Sequence, residues 1–143
     1  MNSSPDCALR SGPPATHILA EIPDAVSRLF QSFEPSAALI VSCSSGRTPA
    51  IVSIRRQADD VPLAVVLTDE AKAQDEARVK DYFRDRAIPV ADAVVPLLSS
   101  SMHQLIYRLA VPVDAMAEIV SGLLAKCFLI GETVPLDFNF VRA

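Results

Sequence analysis

Apolar residues recur at three- and four-residue steps through Ile18, Leu19, Ile22, Val26, Leu29, Phe30 and Phe33, while Glu21, Asp24, Arg28 and Gln31 fall between them. That spacing predicts one amphipathic helix with a single buried stripe. Pro23 suits a helix start, with Ile22 just before it, and Pro35 ends the pattern. The periodicity then changes. Ala38–Ser44 is an apolar, β-branched run, Ser45-Gly46-Arg47 reads as a turn, and Ala50–Arg56 resumes strand character, which predicts a hairpin. Asp59-Asp60 marks a second turn, and Pro62–Leu67 a third strand with proline at its tolerated first position.

Thr68 is placed to cap a second helix, with Asp69 and Glu70 complementing its positive end. This helix is expected to run to about Arg86 with Val79, Tyr82 and Phe83 facing inward. Val90–Leu98 is a further apolar run, interrupted by Pro96 and followed by a turn at Ser99-Ser100-Ser101. Leu105, Tyr107, Leu109 and Val111 then alternate with Gln104, Ile106, Arg108 and Ala110, the period of a strand. Pro112 stops it. Asp114 is placed to cap a third helix whose broad apolar face is Met116, Ile119, Val120, Leu123, Leu124 and Cys127, and Gly131 to close it. Leu136, Phe138 and Phe140 alternate with Asp137 and Asn139 as a short terminal strand over Leu136–Val141.

The order is α-β-β-β-α-β-β-α, with a possible final β. Hairpin-length connections make the sheet mainly antiparallel with helices packed on it, an α+β fold. Pro5, Gly12, Pro13 and Pro14 in a polar run predict a disordered N-terminal arm over 1–16, ahead of a single domain over 17–143.

Composition narrows the function. Among 143 residues, half are hydrophobic and 21% charged, with mean hydropathy +0.30, which excludes a disordered chain. Thirteen Lys/Arg against seventeen Asp/Glu give −4, without the basic stripe that nucleic-acid binding requires. Apolar runs such as Pro62–Leu67 are far shorter than the roughly 18 residues of a membrane helix. Residues 55–86 hold eight acidic and seven basic side chains, a mixed pattern that reads as a solvated helix face with Glu76 and Lys80 paired four apart. The first residues lack the apolar core of a secretory signal, so the expected location is the cytoplasm.

Candidate chemistry is sparse. Cys7, Cys43 and Cys127 are odd in number and dispersed, which argues against a disulfide framework. His17 and His103 have no Cys, His, Asp or Glu at ligand spacing, so no metal is expected, and no cofactor loop occurs among four scattered glycines. Glu76 and Asp59-Asp60 show no acid or base partner, and His103 near Ser99-Ser100-Ser101 has no orienting third group in sequence.

Val41-Ser42-Cys43-Ser44-Ser45-Gly46-Arg47-Thr48 resembles the signature loop of dual-specificity protein phosphatases, in which a thiolate and an arginine flank a phosphate cradle. That family separates the two by five residues, and here three lie between Cys43 and Arg47; Ser42 stands where the family has histidine. A cradle built from a fixed number of amides is removed by that shortening. Cys43 is therefore expected to be structural.

The element order over about residues 17–130, with Leu67-Thr68-Asp69-Glu70 leading into the second helix and Leu109-Ala110-Val111-Pro112-Val113-Asp114 into the third, resembles the class I type III secretion chaperones and the YbjN-like bacterial proteins. The resemblance implies a homodimer without an active site that holds an extended segment of a partner protein. The terminal strand departs from that plan. An apolar excess of this size also favours a partner. The face Met116, Ile119, Val120, Leu123 and Leu124 is the expected contact between copies, the alternative being that it packs on its own sheet. The other function class left open is an enzyme or small-ligand protein.

Overall fold

The computed structural model describes residues 17–31, 37–43, 50–57, 61–69, 73–96 and 102–141, with the backbone alone at 69, 91–96 and 102. The expected arm over 1–16, the turns at Ser45–Arg47, Asp59-Asp60 and Ser99–Ser101, and Phe33 and Pro35 lie outside these residues.

A 3-10 turn at Leu19–Glu21 leads into α1 (Ile22–Gln31). Strands β1 (Ala38–Cys43), β2 (Ala50–Arg55) and β3 (Leu63–Asp69) follow as an antiparallel meander. Helix α2 (Ala73–Asp85) leads to β4 (Val90–Pro96) and β5 (Met102–Arg108), and α3 (Val113–Cys127) to β6 (Asp137–Val141). All strands join one antiparallel sheet in the order β4-β5-β3-β2-β1-β6. The fold is α+β, the order is that read from the sequence, and the terminal strand is part of the sheet.

The three helices form one layer, with α3 between α1 and α2. Strand alternation decides what they cover. Leu39, Val41 and Cys43 of β1, Ala50, Val52 and Ile54 of β2, Ala64 and Val66 of β3, and Leu105 and Tyr107 of β5 point into a single core with the helices. Phe83 stacks on Tyr107 at 3.9 Å between ring centroids and meets Tyr82 edge-on. At the terminal strand, His17 bridges Leu136 by paired backbone bonds, and its ring stacks on Phe138 at 4.4 Å.

Several local expectations are corrected. Thr68 is not a helix cap: it lies in β3, buried, because the β-branched run continues through it as strand. Pro96 does not interrupt β4 but is its last residue. Pro112, not Asp114, is the N-cap of α3, and Asp114 sits in the first turn. Gly131 does not close α3; the chain leaves the helix at Cys127, and Leu129 takes the left-handed conformation at φ 56°.

Helix α2 ends in a Schellman motif. The Ile88 N–H donates to the Phe83 carbonyl at 3.0 Å and the Ala87 N–H to the Arg84 carbonyl at 3.0 Å, with Ala87 left-handed at φ 56°. Ile88 and Phe83 both enter the core, the apolar contact that accompanies this motif.

Candidate functional site

The second face of the sheet sets this molecule apart. Register places Ile40, Ser53, Val65 and Ile106 in one row across β1, β2, β3 and β5. Ser42, Ile51, Leu67 and Gln104 form the row on one side of it, and Ala38, Arg55, Leu63 and Arg108 the row on the other. On β6 the same rows continue as Asn139, Asp137 and Val141. Ile40, Ile51, Leu63, Val65, Leu67 and Ile106 are half-buried. None of them belongs to the helix-side core or packs against it.

Five strands at about 4.8 Å and three rows at about 6.8 Å make a face of roughly 24 by 20 Å. That is on the order of 480 Å², of which eight of the fifteen positions, about half the area, are apolar. An antiparallel sheet covered on one side normally alternates to polar residues on the other. Here β3 is apolar at every described position of both faces from Leu63 to Leu67. Arg55 and Arg108 are exposed along one margin and Asp137 at another, so the apolar rows have a charged border.

A polar cluster sits at the end of the core between β3, β5 and α2. Register brings Thr68 opposite His103, and α2 carries Glu76 over both. His103 Nδ1 and Glu76 Oε1 are 2.8 Å apart, the Thr68 hydroxyl donates to Glu76 Oε1 at 3.4 Å, and Lys80 Nζ lies 3.1 Å from Glu76 Oε2. The hydrogen bond from His103, against the desolvation and helped by Lys80, holds the Glu76 carboxyl below its usual range. The expectation that Glu76 lacks a partner and His103 an orienting group is thereby corrected: each supplies the other. Residues 76 and 103 are far apart in sequence, and only the β3–β5 register and the path of α2 unite them.

A cleft of about 770 Å³ opens on the helix layer, lined by Pro23 of α1, Tyr82 and Arg86 at the end of α2, and Glu118, Gly122 and Lys126 of α3. The Tyr82 hydroxyl donates to the Ile119 carbonyl at 2.7 Å, and Arg86 lies over the Tyr82 ring at 3.6 Å. Gly122 has no side chain because the Tyr82 hydroxyl occupies the space a Cβ would need.

The residues singled out by sequence fall as follows. Met116, Ile119, Val120, Leu123 and Leu124 are all buried within the one chain. The amphipathic stripe is part of the core shared by the helices and the sheet, which was the alternative to a contact between copies. Cys43 is buried at the end of β1, and Arg47 lies outside the described residues. Cys127 is buried, its Sγ 3.5 Å from the Arg78 carbonyl, and burial pushes its thiol up to about 11. Among the described residues, no three His, Cys, Asp or Glu gather as metal ligands, and no helix is long and apolar enough to cross a membrane.

The open face was missed by the sequence reading. Its signal is the unbroken apolar run of β3, which is the pattern of a strand covered on both faces. In comparisons with protein-family models, curated proteins and solved structures, nothing matches this chain.

Proposed function

We propose that the chain is a non-enzymatic protein-binding module of chaperone type, a cytoplasmic homodimer that binds no nucleic acid and holds an extended segment of another protein. The observation that carries this reading is the apolar face formed by Ile40, Ile51, Leu63, Val65, Leu67 and Ile106, over which no described helix packs. Folding into one layer of helices on one side leaves these side chains half in water, and a bound segment removes them from it. Extended chain suits the surface because its side chains project every second residue, matching the row spacing of a sheet. Arg55 on the margin favours segments with an acidic residue flanking the apolar ones.

Val65→Glu tests the reading, because Val65 is central on this face and outside the core. Wild type and variant are applied to an array of overlapping 15-residue peptides from unfolded proteins. Wild type is expected to retain peptides with alternating apolar and acidic residues, and the variant to lose them at least tenfold while keeping its circular dichroism. Equal retention by both chains would contradict the assignment of the face.

A second reading, an enzyme or small-ligand protein, has one observation in its favour: a histidine oriented by a carboxylate, the His103–Glu76 pair.

A further inference from the structure

Helix α3 carries a ridge of residues four apart, Asp114, Glu118, Gly122 and Lys126, and all four line the cleft on the helix layer. Side chains at that spacing are neighbours on a helix, and an acid four positions before a base pairs with it. This ridge prevents the pairing. Gly122 stands where Glu118 or Lys126 would find its partner, and the Tyr82 hydroxyl fills the space of a Cβ there. Asp114 and Glu118 are a like-charged pair four apart, which is unfavourable on its own. Among the described residues, Asp114, Glu118 and Lys126 take part in no ion pair or side-chain hydrogen bond. Along the axis the ridge is negative, negative, bare backbone, positive.

The walls complete a recess around it. α2 runs antiparallel beside α3, since Tyr82 bonds the Ile119 carbonyl and the Arg78 carbonyl meets Cys127. Just past the end of α2, the Arg86 guanidinium lies over the Tyr82 ring, and its Nη1 donates to the Tyr82 carbonyl at 3.1 Å. These contacts hold the planar group in place and use one of its five donors. Arg86 forms no ion pair among the described residues. Ile88, Val111 and Val113 add apolar lining. A concave space of about 770 Å³ that combines apolar lining with a few charged groups has the size and make-up of a ligand site.

We propose that this cleft binds a short peptide with both ends free, its ammonium group at Asp114 and Glu118 and its carboxylate at Lys126. The helix sets the length. Glu118 and Lys126 are eight positions apart, which is about 12 Å along the axis at about 1.5 Å per residue. Extended chain covers about 3.3–3.6 Å per residue, so about three or four residues span that distance. A free amino acid, with a single carbon between its two charged groups, cannot reach both ends. Arg86 offers its remaining donors to the peptide carbonyls, and the apolar lining takes the side chains. Each charge on the ridge then gains the partner that its helix does not supply. The cleft is on the helix side of the sheet, so the site does not depend on what the open face holds.

The full chain is titrated with the tetrapeptide Ala-Leu-Leu-Ala, its N-acetyl form, its C-terminal amide and free leucine, followed through the backbone amides. The free-ended peptide is expected to give saturable shifts at Glu118, Gly122 and Lys126, and each blocked form to bind about tenfold more weakly. Free leucine is expected to bind more weakly still. Lys126→Gln is expected to erase the difference between the peptide and its amide while keeping the penalty of acetylation. Asp114→Asn combined with Glu118→Gln is expected to do the reverse. All three side chains are exposed, so these variants are expected to keep the circular dichroism of wild type. Val65→Glu is expected to bind the tetrapeptide like wild type, which separates failure of this site from failure of the open face. Equal binding of free-ended and blocked peptides, free leucine binding as tightly as the tetrapeptide, or no shifts in the cleft at any ratio would each overturn the proposal.

Discussion

Glu76 is the residue at which three elements meet. Its carboxylate accepts from Thr68 of β3, lies against His103 of β5 and pairs with Lys80 one turn along α2. Because its folded pKa lies below the unfolded one, the stabilisation it gives is complete above the usual carboxylate range near pH 4 and is lost as pH falls through the lower folded value. Urea midpoints of wild type and Glu76→Gln at pH 6 and pH 3 check this: wild type is expected to be the more stable at pH 6, and the difference to shrink at pH 3. A difference independent of pH would mean that the carboxylate's charge is not what joins these elements. The cluster was only half legible in the sequence. Glu76–Lys80 follows from helical spacing, but the separation of 27 positions from Glu76 to His103 carries no sign that one strand register and one helix will close the gap. Thr68 was misread for a related reason: beside acidic residues its hydroxyl looks like a cap, whereas its branched Cβ continues a strand that already holds Leu63 to Leu67.

At the scale of elements, periodicity showed which faces are buried and could not show against what. Leu105, Tyr107 and Leu109 turn inward as their alternation required, and so does the stripe of α3. That stripe satisfies a dimer seam and a core equally well as a pattern. Only the placement of α3 between α1 and α2, across the sheet, decides for the core. Helix ends were less legible, because the residues that usually mark them are absent. Ala87 and Leu129 take the left-handed conformation where glycine is normally found. Ala87 lies in a complete Schellman motif and is exposed, so Ala87→Gly removes a steric cost of roughly 1 kcal/mol without loss of a contact. Part of that gain is offset by the greater freedom of glycine in the unfolded chain. The expected result is a rise in stability of up to about 1 kcal/mol in urea unfolding, and a clear loss would show that the turn is held by something other than backbone conformation.

For the whole molecule, the described helices pack on one side of the sheet. Three helices occupy one face of a six-stranded sheet, and the sequence nonetheless supplies apolar residues to both. The central claim is that the open face takes up extended chain. Its most direct measurement is a titration of isotope-labelled protein with a permanently unfolded chain, reduced and carboxymethylated lactalbumin, followed through the backbone amides. Saturable shifts at Ile40, Ile51, Leu63, Val65, Leu67 and Ile106, with α1 and α3 undisturbed, are the expected result. Shifts confined to the cleft around Tyr82 and Arg86, or no shifts at any ratio, would contradict it.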